Sequence, residues 1–153
     1  MNVAKVVWMI AVLAVVGEIG AAEGTPGVEI DWPAFMAQSD LVWDRLPKQW
    51  HEGAFMGNGL VGAMLYSPDG KGLGWRLGRT DVQDRTNRIP IGWFRLEFGA
   101  APTAVSLRQG LYDAEISGEA VFAKGSLRWR TFTHATKPLI VVEIDVDPGV
   151  EWS

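Results

Sequence analysis

Short alternating segments, separated by turn residues, run through most of this 153-residue chain and limit the folds open to it. In the clearest segment, residues 126–134, one face of an extended strand would carry Leu127, Trp129, Thr131 and Thr133. Turn sequences rich in Pro, Asp and Gly stand at residues 67–70 and 147–149. This rhythm is typical of sandwiches and barrels rather than of alternating strands and helices. We therefore predict an all-β fold, an antiparallel β-sandwich.

A glycine-rich stretch at residues 50–66, WHEGAFMGNGLVGAMLY, predicts a β-hairpin. Asn58-Gly59 lies between apolar residues, and such a pair favours a type I′ turn because both central residues need positive φ. The glycines would also let a ligand or another backbone approach the strands closely. Trp50, His51 and Glu52 form a polar and aromatic lead-in, so this stretch is a candidate site.

The segment after the hairpin predicts a short strand, a long polar loop and a second strand. Residues 73–77 alternate, and the polar run GRTDVQDRTN at residues 78–87 predicts a loop that carries Asp81 and Asp84. Residues 91–98 alternate again. One face of that strand would carry Phe94, Leu96 and Phe98.

The N-terminus has the pattern of a secretory signal. Lys5 precedes the apolar run 6–16, and Gly20-Ala21-Ala22 supplies small residues suited to cleavage after Ala22. The apolar run is shorter than the roughly 20 residues that span a bilayer. We therefore predict a signal peptide at residues 1–22, export to the periplasm or the extracellular space, and no stable membrane span. A buried N-terminal core element is the alternative.

The remaining chain divides into a leader at residues 23–40 and a β-sandwich domain at residues 41–153. Within the leader, residues 32–39 predict one or two helical turns, because Pro33 suits a helix start. After the Pro148-Gly149 turn, a further strand partner is begun but not finished. We therefore expect a domain that is incomplete at its C-terminal end, within a longer protein.

Composition and motifs argue against several kinds of site. A net charge of −4 does not suit a nucleic-acid partner, which calls for a clustered basic patch. Cysteine is absent and the two histidines, His51 and His134, are far apart in the sequence, so we predict no metal site. Without phosphate-binding or dinucleotide-binding motifs, we predict no cofactor. The eight tryptophans suit either a core or platforms for sugar rings.

Carboxylates are the remaining candidates for chemistry on a carbohydrate. Glycoside hydrolysis needs two of them, roughly 5 to 9.5 Å apart, and Glu52, Asp81 and Asp84 lie in or beside predicted loops. Arginines stand close to both aspartates in sequence, so a solvated loop with surface ion pairs is the alternative. His51 and Glu52 could equally orient the hairpin or cap a neighbouring element. The residues alone assign no catalytic group.

The run at residues 46–66 resembles the opening signature of glycoside hydrolase family 95. There, a Trp and a Leu-Pro pair precede a Gly-Asn-Gly-x-x-Gly-Ala-Met strand; here Trp43, Leu46-Pro47 and residues 57–64 match them. Later segments follow the family's order at residues 111–116, 128–132 and 137–142. The likeness extends over residues 41–149, and residues 57–64 carry its specific motif. An Asn-Glu-x-x-Trp motif of the family is missing, which indicates a divergent relative.

The resemblance implies an N-terminal β-sandwich domain, part of a larger super-sandwich, that packs against a C-terminal (α/α)6 barrel. In the family that barrel carries the catalytic carboxylate, so no catalytic residue is expected in this chain. An oligo- or polysaccharide would be the second partner. A stand-alone carbohydrate-binding or structural β-sandwich is the alternative function. The residues expected to face substrate or barrel are Trp50, His51, Glu52, Asn58, Gly59, Asp81 and Asp84.

Overall fold

The computed structural model describes residues 29–153, which form two antiparallel sheets around a shared hydrophobic core. The predicted all-β class is confirmed, and the paired sheets have the character of a sandwich. The predicted signal peptide at residues 1–22 and the first part of the leader lie outside the described residues. Between residues 29 and 153, no helix has both the length and the apolar character that a membrane crossing requires.

The described elements are one short α-helix, one 3₁₀ turn and nine strands. The helix α1 is Trp32–Ala37, and the 3₁₀ turn is Trp50–Glu52. The strands are β1 (Leu41–Trp43), β2 (Ala54–Gly57), β3 (Val61–Tyr66), β4 (Gly72–Asp84), β5 (Asn87–Glu97), β6 (Ala104–Gly110), β7 (Glu115–Phe122), β8 (Gly125–Thr133) and β9 (Ile140–Val146).

The strands form two sheets in which every neighbouring pair is antiparallel. Sheet A has the order β1-β6-β7-β8-β9, and sheet B has the order β2-β3-β4-β5. Strand β1 therefore precedes sheet B in sequence but pairs with β6, which ties the start of the domain to its second half. At the other end, Trp152 bridges Phe98, just beyond β5.

The core lies between the inner faces of the two sheets. Sheet B contributes Leu65, Leu73 and Trp75, and sheet A contributes Ile116 and Leu127; all five are at most 1% exposed. The alternation predicted for residues 126–134 is confirmed, because β8 buries Leu127, Trp129 and Thr131. Burial of such side chains contributes roughly 1.5 to 3 kcal/mol each, which makes this core the main source of stability.

The helix predicted near Pro33 is confirmed as α1. Pro33 stands in its first turn, and the side chain of Asp31 accepts a hydrogen bond from the Ala34 N–H at 3.1 Å, which caps the N-terminus. No residue of α1 is buried. Asp40, at the end of the leader, accepts a hydrogen bond from the Leu111 N–H and pairs with Arg108, so it anchors this segment to sheet A.

The predicted polar loop at residues 78–87 is wrong. Strand β4 continues to Asp84 and β5 begins at Asn87, so Asp81 and Asp84 lie in a strand, and the turn is at Arg85-Thr86 with Arg85 at φ 53°. Beyond Gly78 the two strands form a largely exposed ribbon with a register shift. Because neither face is buried there, the sequence lacks the alternation that would have indicated a strand.

The hairpin at residues 54–66 is confirmed, but its predicted turn is wrong by one residue. Gly57 pairs with Gly62, and the Asn58 N–H donates to the Val61 carbonyl at 3.1 Å, which leaves Gly59 and Leu60 as the central residues. Only Gly59 of these has positive φ, at 89°. That sign pattern belongs to a type II′ turn rather than a type I′ turn.

Candidate binding groove

Three glycines form a row across the outer face of sheet B. Gly57 pairs with Gly62 on the neighbouring strand, and Gly62 pairs with Gly78 on the next. Gly78 is in turn opposite Pro90 on β5. Since successive residues of a strand point to opposite faces, all three glycines share the side that faces away from the core. The result is a strip of sheet surface without side chains.

This strip is the floor of an open groove of about 760 Å³. Its walls come from three regions: the 3₁₀ turn before β2, the hairpin tip, and the β4–β5 ribbon. Besides the glycines, the residues that line it include Trp50, Leu60, Met64, Arg76, Arg79, Thr80, Arg88, Ile89 and Pro90. The groove is therefore apolar over most of its surface and carries arginines at its rim.

The glycines of the row differ in how tightly the backbone surrounds them. A Cβ atom on Gly62 would lie 2.8 Å from the Met56 carbonyl oxygen, so this position has no room for a side chain. A Cβ atom on Gly78 would have no heavy atom within 4 Å and would project into open space. Gly62 is thus needed for strand pairing, whereas Gly78 keeps the groove open.

The arginines of the groove are in two electrostatic states. Arg79 donates to both carboxylate oxygens of Asp81, at 2.9 and 2.7 Å, and these hydrogen bonds hold the pKa of Asp81 below its ordinary value. Arg76 and Arg88 form no ion pair with any residue of the described chain. Two guanidinium groups at this groove therefore remain without a carboxylate.

Asn58 holds the hairpin to sheet A with all of its side-chain hydrogen-bonding capacity. Its amide nitrogen donates to the carbonyls of His134 and Lys137, at 2.8 and 2.9 Å, in the connection between β8 and β9. Its amide oxygen accepts from the N–H groups of Leu60 and Val61, both at 3.0 Å. The structure thus places this predicted site residue under the hairpin as a clamp between the sheets.

Glu52 connects the 3₁₀ turn to the chain segment that precedes it. Its carboxylate accepts hydrogen bonds from Arg45 at 3.2 Å and from the Lys48 N–H at 3.3 Å. The hydrogen bond from Arg45 is the largest cause that lowers the pKa of Glu52. The Glu52 carbonyl also accepts from the indole N–H of Trp43. Glu52 therefore orients the chain that leads to β2.

Of the seven predicted site residues, the structure places two on the groove: Trp50 and Gly59. Trp50 is 63% exposed, and its ring meets the ring of His51 edge-on, with 5.7 Å between the ring centroids. Asp81 and Asp84 lie on the exposed ribbon, outside the groove lining. Within residues 29–153, no three His, Asp or Glu side chains come together as a metal site would require.

Sequence reasoning missed most of the groove walls. Arg76 stands in the segment predicted as a strand, next to the glycine row. Arg88, Ile89 and Pro90 precede the predicted second strand, and they reach the groove only because β4 and β5 continue beyond Gly78 as a ribbon. The glycines themselves were visible in the sequence. Their alignment across three strands depended on the pairing register, which a single hairpin signal does not fix.

Comparison with family models, with curated proteins and with solved structures finds no match to this chain.

Proposed function

We propose that this chain is the N-terminal, non-catalytic β-sandwich domain of an exported glycoside hydrolase similar to family 95. In this proposal the domain is part of a larger super-sandwich, packs against a C-terminal (α/α)6 barrel, and shapes a glycan site in that barrel. The observation that carries the proposal is the motif at residues 57–64. It resembles the family signature, and its glycines form part of the groove floor.

The outer face of sheet B supports a role in packing against another domain. Phe55, Ile91 and Trp93 are each between 42% and 56% exposed on β2 and β5. Exposed apolar side chains on one sheet face, next to a groove, are typical of surfaces that contact a partner. In this proposal the barrel packs against part of the outer face of sheet B, and the groove stays open to the glycan.

The acidic residues support a non-catalytic role. A general acid in glycoside hydrolysis needs a raised pKa, whereas hydrogen bonds lower the pKa of both Glu52 and Asp81. Both carboxylates are also bound to arginines of the same chain. We therefore expect no turnover by this chain alone. Export is proposed from the pattern of residues 1–22.

The downstream genomic reading frame tests the proposal directly. We expect the frame to stay open for several hundred codons after Ser153 and to encode the helices of a barrel. Purified chain from residue 23 to residue 153 should leave aryl glycosides intact, and the chain extended by the barrel should cleave them. Hydrolysis by the short fragment would contradict the non-catalytic assignment.

A stand-alone carbohydrate-binding module is the second candidate, and the groove favours it specifically. Its volume lies within the range of about 300 to 1,000 Å³ typical of ligand pockets, and Trp50 offers an exposed indole at its edge. A stop codon directly after Ser153 would favour this candidate over the enzyme domain. Glycan binding by the chain without any downstream segment would then be its full activity.

A further inference from the structure

We propose that the groove on sheet B binds an acidic glycan, a short oligosaccharide whose rings carry carboxylate or sulfate groups. This inference rests on the glycan-binding part of the proposed function, and it adds the chemical class of the sugar. It depends on three properties of the groove: its floor, its aromatic edge and its charge.

The floor is flat because Gly57, Gly62 and Gly78 give it no side chains. A sugar ring can therefore lie directly against the peptide backbone, as close as van der Waals contact allows. Trp50, a residue that is 63% exposed, stands at one edge. An indole in that position offers an apolar face to the ring and an N–H donor to its hydroxyl groups.

The charge of the groove is opposite to that of the protein. The chain has a net charge of −4, yet no Asp or Glu is among the groove-lining residues, which include Arg76, Arg79 and Arg88. Arg79 already forms an ion pair with Asp81, whereas Arg76 and Arg88 pair with no carboxylate among residues 29–153. Guanidinium groups bind carboxylate and sulfate oxygens through paired, charge-assisted hydrogen bonds. An anionic ring substituent therefore complements this groove better than a neutral one.

The size of the groove favours a glycan over an acidic protein segment. Its 760 Å³ is the volume of a small-ligand pocket. A stable protein interface would cover about 800 Å² on each partner and would need a wider surface. The glycine floor also offers no side chains for a protein surface to interlock with.

Binding of matched sugars to the purified chain tests the inference. The probes are tri-galacturonate, its fully methyl-esterified form, which has the same rings without charge, and a sulfated galactan oligosaccharide. Calorimetry or Trp fluorescence would give each dissociation constant. We expect at least about tenfold tighter binding of an anionic probe than of the ester, and weaker binding as salt increases. The relative affinities for galacturonate and sulfated probe identify which anion the groove prefers.

Variants locate the binding in the groove. Arg76→Gln and Arg88→Gln should each weaken binding of the anionic probe by about tenfold, and both side chains are exposed, so the fold should persist. Lys124→Gln, at the β7–β8 turn, makes the same change of charge outside the groove and should leave affinity unchanged. Gly78→Leu should abolish binding by filling the floor, with the unfolding transition of the wild type as its folding control.

Three contrary results would overturn the inference, and a fourth bears on the proposed function alone. Equal affinity for the acid and its methyl ester would reject the acidic class and leave the proposed glycan function intact. Binding of poly-glutamate peptide with no binding of any sugar would make the groove a protein-docking surface. Unchanged affinity in Gly78→Leu would place the sugar elsewhere. A stop codon after Ser153 would remove the enzyme assignment but not the ligand class.

Discussion

The outer faces of the two sheets differ in whether the chain supplies carboxylate partners for all of their arginines. On sheet A, two arginines of β8 are surrounded by carboxylates from both neighbouring strands. Arg128 pairs with Glu119, Asp145 and Asp147, and Arg130 pairs with Glu115 and Glu143. The ring of Phe132 lies 4.9 Å from the Arg130 guanidinium carbon. Both of these arginines thus have carboxylate partners within the chain.

Sheet B is less completely paired, although Arg95 on β5 pairs with Asp69 and Glu97. Its outer face has a row of glycines, exposed Phe55 and Trp93, and two arginines without carboxylate partners among the described residues. The arginines of β8 on sheet A are thus paired within the chain. Sheet B leaves apolar side chains and these two arginines exposed, where a partner or ligand could bind. Structural charge pairing is thus concentrated on sheet A, and sheet B carries the groove that we propose as a binding site. Four predictions test how the two sheets differ.

The largest effect should come from a glycine on the inner face of sheet A. A Cβ atom on Gly118 would overlap the Trp129 ring and lie 2.5 Å from the Ser106 carbonyl oxygen. We expect Gly118→Ala to lower the free energy of unfolding by about 3 kcal/mol, because the core cannot accept the added volume. Gly78→Ala is the matched control and should change it by less than about 0.5 kcal/mol. If urea titrations showed the same loss of unfolding free energy for both variants, the core position would be no less tolerant of a methyl group than the groove position.

The next effect concerns the clamp that joins the sheets. Asn58→Ala removes four hydrogen bonds and leaves the His134 carbonyl without its side-chain donor, while the Lys137 carbonyl keeps one backbone donor. We expect a loss of about 2 kcal/mol in unfolding free energy, with faster amide exchange at Leu60 and Val61. Asn87→Ala, at the exposed start of β5, should be nearly neutral. If the two variants unfold alike, Asn58 does not hold the hairpin.

A smaller effect should separate the arginines of the two sheets. Arg128→Gln should lower the melting temperature at low salt, and the loss should shrink as salt screens the ion pairs of the wild type. Arg76→Gln should leave the melting temperature unchanged at any salt concentration, because no described carboxylate depends on it. A salt-dependent loss in Arg76→Gln would show that a carboxylate of the folded chain also pairs with Arg76.

The smallest effect is the pH dependence at Asp147. Hydrogen bonds from the Ser126 N–H and from Arg128 lower the pKa of Asp147 below its ordinary value of 3.8. Because the folded pKa is the lower one, this carboxylate stabilises the fold fully above pH 3.8, and the contribution is lost as the pH falls through the folded pKa. The melting temperatures of wild type and Asp147→Asn should therefore converge on acidification. A constant difference down to about pH 2 would contradict this.

The sequence predicted strands where burial of one side imposes a clear alternation. Strand β8 could be recognised because burial of Leu127, Trp129 and Thr131 imposes a period of two on residue polarity. The ribbon beyond Gly78 could not, since both of its faces meet solvent and polar residues suit either side. That is why Asp81 was expected in a loop.

The candidate site was only partly predictable for a related reason. The glycine-rich hairpin could be located from local signals, because Gly59 alone meets the positive φ of its turn at no steric cost. The groove also needs the pairing of Gly62 with Gly78 and the extension of β5 to Arg88, and these depend on register across three strands. The role of Asn58 depends on carbonyls 76 and 79 residues further along the chain, which no local pattern reveals.

These long separations in sequence also determine when each contact can form while the chain is being synthesised. The hairpin leaves the ribosome early, but the carbonyls that Asn58 binds are 76 and 79 residues later. Strand β1 likewise cannot pair until β6 has been synthesised. Because contacts between distant residues form slowly, we expect the hairpin to remain unanchored in nascent chains that end before Lys137. Ribosome-bound chains of increasing length should therefore gain protease resistance at the hairpin only after that residue has emerged.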